Sequence, residues 1–112
     1  MNDEIHEAII LDLAIRALRL DLDNMQHLKM KTVYERWMNQ RISLLERRKK
    51  EVEHRLQSRR SFIIGYRKIN TYFCSYEVIS DKKRYEIRYS IVQLKRETEK
   101  ILIQQSLLNK PS

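Results

Sequence analysis

Arg41, Arg48, Arg55 and Arg59 follow one another at spacings of seven, seven and four residues. On a helix these positions fall within about 40° of each other, because seven residues make nearly two turns. A guanidinium stripe of this kind can track the phosphates of a nucleic-acid backbone, and Arg47, Lys49, Lys50 and Arg60 would extend it. Lys82, Lys83 and Arg84 form a second cationic cluster. The same stripe would serve as a border of the core if acids of a neighbouring helix paired with it, and a base-reading pair of short helices with a turn glycine is missing. Tyr66, Tyr72, Tyr76, Tyr85 and Tyr89 are interleaved with Arg67, Lys68, Arg84 and Arg88. Such mixtures can stack on single-stranded bases, although tyrosines at these spacings are more often the edge of a core.

Other chemistries find less support. Glu51-x-x-His54 has the i,i+3 spacing of di-iron helical proteins, and Asp3-x-x-His6 echoes it. A working centre also needs carboxylates from two further helices, whereas Glu51 sits among Lys49, Lys50 and Arg55, as on a solvated ion-pair face. Neither metal nor cofactor is expected, and the isolated His27 reads as a capping or surface residue. Cys74 lies among Tyr72, Phe73 and Tyr76, surroundings that bury a thiol rather than activate it. With one glycine there is no phosphate-binding loop, and no nucleophile elbow or paired-carboxylate cleft is discernible. The expectation is a non-enzyme with no catalytic residue and no small-molecule substrate.

The elements that position these groups follow from a scarcity. Gly65 and Pro111 are the only glycine and proline in 112 residues. Both residue types punctuate turns and strand-rich folds, so the chain is expected to run in long helices. An apolar fraction of 42% suffices for a core despite 34% charged residues. No apolar run approaches the roughly 18 residues of a membrane span, and the acidic start Asn2-Asp3-Glu4 lacks the pattern of a signal peptide. A single cysteine, Cys74, cannot form an internal disulfide. Together these predict a cytoplasmic protein without a membrane partner. The net charge of +8 is uneven: residues 1–30 carry −3, residues 31–70 carry +8 and residues 71–112 carry +3. Antiparallel pairing of the first two segments would leave a cationic excess that favours polyanions.

A first helix is predicted from about Asp3 to His27, with Asn2 or Asp3 as cap and Glu4 and Glu7 in the first turn. Ala8, Leu11, Ile15, Leu18, Leu22 and Met25 form a coiled-coil-like seam, and Ile9, Leu13, Ala17 and Leu20 a second apolar set. A helix apolar round most of its circumference is central in a bundle or part of an interface, which makes Leu11, Ile15, Leu18 and Leu22, with Trp37, candidates for self-association. A second helix is predicted from about Thr32 to Arg60, with Met38, Ile42, Leu45, Val52 and Leu56 as its seam and Lys49 interrupting it.

Residues 62–92 admit two readings. In one, Asn70-Thr71 caps a third helix, Ser80-Asp81 starts a last one, and Ile87, Ile91, Leu94, Thr98, Ile101 and Leu108 continue a three-four repeat. In the other, Tyr85, Ile87, Tyr89 and Ile91 alternate with polar residues, and the Ser80–Lys83 stretch closes a hairpin with Phe73–Ile79. The absence of a turn glycine favours helix. The predicted fold is therefore an all-α bundle of three to four helices in one domain over residues 1–108, with a frayed tail at 109–112. The alternative is α+β with a small hairpin in residues 62–92.

The stretch L-D-L-A-I-R-A-L…L-K-M-K-T-V-Y from Leu11 to Tyr34, with Arg88, Tyr89, Leu94, Lys95 and Glu99, resembles a family of small uncharacterised helical proteins of Bacillus-type bacteria. The resemblance implies a helical C-terminal half and an origin in such a bacterium or its mobile elements, and carries no activity or site residue. The function expected is a non-enzymatic protein–protein interaction or regulatory module that forms a homodimer or docks a protein partner. The alternative is a basic helical nucleic-acid-binding regulator of bacterial or phage origin.

Overall fold

A computed structural model describes residues 2–25 and 31–108. The end of the first helix at His27 and the tail at 109–112 fall outside the described residues. Helix α1 spans Asn2–Asn24 and α2 spans Lys31–Ser58. Three strands follow, β1 (Ser61–Lys68), β2 (Phe73–Ser80) and β3 (Lys83–Ser90), and α3 (Ile91–Leu108) closes the chain. The strands form one antiparallel sheet in the order β1-β2-β3. The fold is α+β, which corrects the all-α, coiled-coil expectation. The alternative, α+β with a small hairpin in residues 62–92, matches β2 and β3 and lacks only the pairing of β1 as a third strand.

The correction has a local cause. Asp81 and Lys82 adopt φ of 50° and 69°, and Ser80 pairs with Lys83 across them. Two consecutive left-handed residues make the two-residue turn whose twist suits a hairpin, a position where glycine or asparagine is usual. Arg60, with φ of 57°, ends α2 where glycine is again usual. Gly65 itself has no positive φ. The chain turns sharply at non-glycine residues, so the scarcity of glycine misleads. Asn70, predicted to cap a helix, instead accepts bonds from the Tyr72 and Phe73 amides at 2.8 and 2.9 Å and shapes the β1–β2 turn. The last helix starts at Ile91 rather than Ser80, with the Ser90 hydroxyl accepting from the Gln93 amide at 3.3 Å.

The core forms around α1. Ile5, Ala8, Ile9, Ile10, Leu11, Ala14, Ile15 and Leu18 are buried, and full burial of a large aliphatic side chain contributes about 1.5–3 kcal/mol. The predicted seam of α2 (Met38, Ile42, Leu45, Val52, Leu56) is buried as well, together with Leu94 of α3. Side chains alternate across a strand, so Cys74, Tyr76 and Val78 of β2 share the face that packs on the helices; Cys74 and Val78 belong to the same core cluster, with Tyr76, Tyr85, Ile87 and Tyr89 packed against it. α2, α3 and the sheet all pack against the first two-thirds of α1, while Leu20 of its second apolar set stays exposed. Among the described residues no helix is long and apolar enough to cross a membrane.

Candidate docking surface

The arginine stripe divides: Arg41 is enclosed against α3, while Arg48, Arg55 and Arg59 stay more than half exposed and reach acids of α1. Arg41 is buried at 7% exposure, which corrects its expected role as a phosphate contact. Its Nε donates to Gln105 Oε1 at 3.1 Å and its Nη2 to the Leu102 carbonyl at 3.0 Å, while Gln105 Nε2 donates to the Arg41 carbonyl at 2.7 Å. The guanidinium lies 5.1 Å from the Trp37 ring centre. Burial pushes its pKa below the ordinary arginine value, with Asp21 acting in the opposite direction. Arg41 therefore locks α2 to α3. Arg48 pairs with Glu7 at 2.9 Å, and Arg55 and Arg59 both approach Glu4, at 3.8 and 3.3 Å. Glu4 and Glu7 near the start of α1 thus meet cations of α2 and of the turn that follows it.

The expected interface is also committed inside the molecule. Leu11, Ile15 and Leu18 are buried in the core, Leu22 is partly buried against it, and Trp37 lies beneath Arg41. Leu11, Ile15 and Leu18 hold the protein's own helices together, which corrects their assignment to a dimer surface, while Leu22 and Trp37 are only partly buried.

The chemical candidates stay apart. Glu51 and His54 lie exposed on α2. His6 Nε2 lies 2.8 Å from Glu97 Oε2, and the ring stacks on Tyr89 at 5.5 Å. Among the described residues no group of three or more His, Cys, Asp or Glu side chains could hold a metal. Cys74 is 1% exposed, and burial pushes its thiol above the usual cysteine range. Tyr66, Tyr76 and Tyr89 form a row on the helix-facing side, with ring centres 5.2 and 5.9 Å apart. Burial, aided by nearby anionic groups, pushes Tyr76 and Tyr89 up to about 12.

What the structure brings to the surface is the β1 side of the sheet. β1 is an outer strand, and Phe62, Ile63, Ile64 and Tyr66 are all exposed on it. Ile64 is the extra residue of a bulge: Ile63 pairs with Val78 and Gly65 with Glu77, which leaves Ile64 without an opposite number. Two clefts flank Tyr76 and Asp12 where this strand meets the helices. One of about 250 Å³ has Ile63 above Ile9 and Leu56 in its lining. The other, about 530 Å³, is lined by Tyr66, Leu13, Ala17 and Leu102, with Arg16 and Lys95 among its polar groups.

Cations gather at both ends of the strand. The Asp81 amide donates to the Arg60 carbonyl at 3.2 Å, which brings the Lys82-Lys83-Arg84 turn beside Arg59 and Arg60. Arg84 pairs with Glu77 at 3.5 Å, and at the far end of β1 Arg67 pairs with Glu86 at 3.6 Å. Among the described residues Arg60, Lys68, Lys82 and Lys83 have no carboxylate within ion-pair distance. The sequence carries a signal for this surface: the run Phe62-Ile-Ile-Gly-Tyr66 with cations on both sides. Apolar residues in so short a run do not reveal whether they face a core, because edge position depends on strand order.

Comparison with curated proteins and with solved structures gives no match. A family model does match, over residues 2–108, a span that takes in all six elements and the β1 surface. On that match the chain belongs to the YhjD protein family.

Proposed function

We propose that this protein is a non-enzymatic protein-interaction module that engages its partner through the β1 side of the sheet. One observation carries the reading. Of the twelve large apolar side chains exposed among the described residues, six (Phe62, Ile63, Ile64, Tyr66, Tyr72 and Phe73) fall within β1, the turn that follows and the first residue of β2. Exposed apolar side chains concentrated in one outer stretch of the sheet, with cations at both ends, favour a contact surface. The likeness of Leu11–Tyr34 to proteins of Bacillus-type bacteria supports a bacterial cytoplasm as its setting. A photo-crosslinking residue placed at position 64, and another at the exposed position 103 of α3, tests this in cells. Discrete protein adducts at position 64 and none at 103 are expected; equal labelling at both positions, or none at 64, removes the proposal.

A second reading, a nucleic-acid-binding regulator of bacterial or phage origin, draws on Arg60, Lys82 and Lys83 at one end of the sheet, which have no carboxylate partner among the described residues. It predicts duplex-DNA affinity that falls steeply with salt and is lost in Lys82→Glu with Lys83→Glu. Affinity insensitive to both excludes it. The internal pairing of Arg41, Arg48, Arg55 and Arg59 makes it the weaker of the two.

A further inference from the structure

We infer that β1 is a strand-receiving edge, and that its occupant is an extended segment of a partner protein with an apolar centre and acidic residues at both ends. This rests on the protein-interaction reading and names its partner. As an outer strand, β1 has β2 on one side and, among the described residues, no strand on the other. An uncovered edge exposes a row of amides and carbonyls that can template a further strand. The other edge, β3, bears Lys83, Arg84, Glu86 and Arg88, and charge on an edge discourages such pairing. β1 instead has Phe62, Ile63, Ile64 and Tyr66 at its centre and no proline.

The clefts fit the same occupant. Successive side chains of an added strand alternate between faces. Those on the helix side would reach the clefts beside Ile63 and Tyr66, over Ile9 and Leu56 at one and Leu13 and Ala17 at the other.

Charge decides which chain fits. Arg59 and Arg60 precede the strand, and Arg67 and Lys68 end it. A second copy pairing antiparallel through β1 would set Arg59 and Arg60 against the partner's Arg67 and Lys68, four cations at each end. Like charges placed opposite one another oppose pairing. Acidic flanks would meet Arg60 and Lys68, which have no carboxylate partner among the described residues.

The test uses two fluorescein-labelled peptides with the full chain: Asp-Glu-Val-Ile-Val-Thr-Asp-Glu, and the same centre with Lys-Arg at both ends. Saturable binding of the acidic peptide is expected, with the basic one at least about tenfold weaker, the size of several rim ion pairs together. Binding should slow hydrogen exchange at amides within residues 61–68 and leave 83–90 unchanged. Arg60→Glu with Lys68→Glu should invert the preference between the peptides. Ile64→Pro places proline at the bulge, where it is tolerated, and should weaken both. If Ile64→Pro fails to fold, the charge-reversal pair alone decides.

Equal binding of both peptides, or protection elsewhere than β1, overturns the acidic-strand occupant. Concentration-dependent dimers with β1 amides protected in the absence of peptide overturn it in favour of a second copy. Displacement of bound acidic peptide by duplex DNA, with the DNA binding more tightly, overturns it in favour of nucleic acid. If neither peptide binds while position 64 still gives discrete protein adducts, this inference falls and the interaction reading stands; loss of the adducts as well removes both.

Discussion

Helix α1 and strand β1 are both rich in aliphatic residues, and the fold treats them in opposite ways. α1 buries eight apolar residues from Ile5 to Leu18, with α2, α3 and the sheet around it. β1 exposes Phe62, Ile63, Ile64 and Tyr66, with a neighbouring strand on one side only. The apolar surface of α1 is used up in stability. That of β1 is left over, and surplus apolar surface at a sheet edge is where a partner gains most by binding. Hydrophobic residues identify what can be hidden, while the count of neighbouring elements decides what is.

The widest contrast should appear in stability. Leu11→Ala is expected to cost about 2–5 kcal/mol in urea unfolding, while Phe62→Ser changes it by no more than about 0.5 kcal/mol. Comparable losses at the two positions would mean that β1 is packed after all. The arginines offer the next test. Arg41→Ala leaves Gln105 and the Leu102 carbonyl without their buried donor, a loss of about 1–3 kcal/mol. Arg48→Ala removes an exposed pair with Glu7, worth at most about 1 kcal/mol. A larger loss at Arg48 than at Arg41 would reverse the assignment of which arginine holds the helices together.

Alkaline titration separates the inner row of tyrosines from the exposed ones. Tyr76 and Tyr89 are pushed up to about 12 by burial first, so each holds its proton more tightly folded than unfolded. Their contribution to stability is complete below about pH 10, the ordinary tyrosine value, and is lost as pH rises from there towards 12. Chemical denaturation across that window should show the decline, and Tyr76→Phe with Tyr89→Phe should flatten it. Tyr72→Phe, in the exposed turn, should leave the profile as it is. A decline unchanged in the double variant would place its origin elsewhere.

The smallest effect concerns the hairpin turn. Lys82→Gly relieves a left-handed lysine and gives the turn the Asp-Gly sequence it favours, with an expected gain of about 1 kcal/mol in unfolding free energy. A loss instead would show that Lys82 makes a favourable contact greater than its backbone strain.

Much of the helical part is legible in the residues. The three-four repeats of α1 and α2 and the interruption at Lys49 survive because each depends on residues a few turns apart. The acid-against-base match of the two helices follows from the opposite charge of the two segments once they lie side by side. Lys49 reaches Asp12 at 3.1 Å, and Asp12 pairs with Arg16 one turn along. Residues 61–90 read poorly for a physical reason: Arg60, Asp81 and Lys82 take left-handed conformations that their side chains disfavour, and neighbouring structure holds them there. Alternation of Tyr85, Ile87 and Tyr89 competes with a helical repeat through Ile87 and Ile91, and local pattern alone cannot rank them.

By itself the sequence determined that α1 and α2 would be helices with apolar seams, that an acidic first segment would be followed by a basic second one, and that Cys74 would be a buried thiol. Periodicity and composition suffice for these, since each follows from the chain's local geometry and from the cost of leaving apolar groups in water. Only the tertiary structure decided that Arg41 is enclosed while Arg60 has no carboxylate partner among the described residues, that Leu18 faces inward while Ile64 faces out, and that β1 is an outer strand of the sheet. Those distinctions depend on strand order and on which elements happen to stand opposite, relations between residues far apart in sequence that local patterning does not encode.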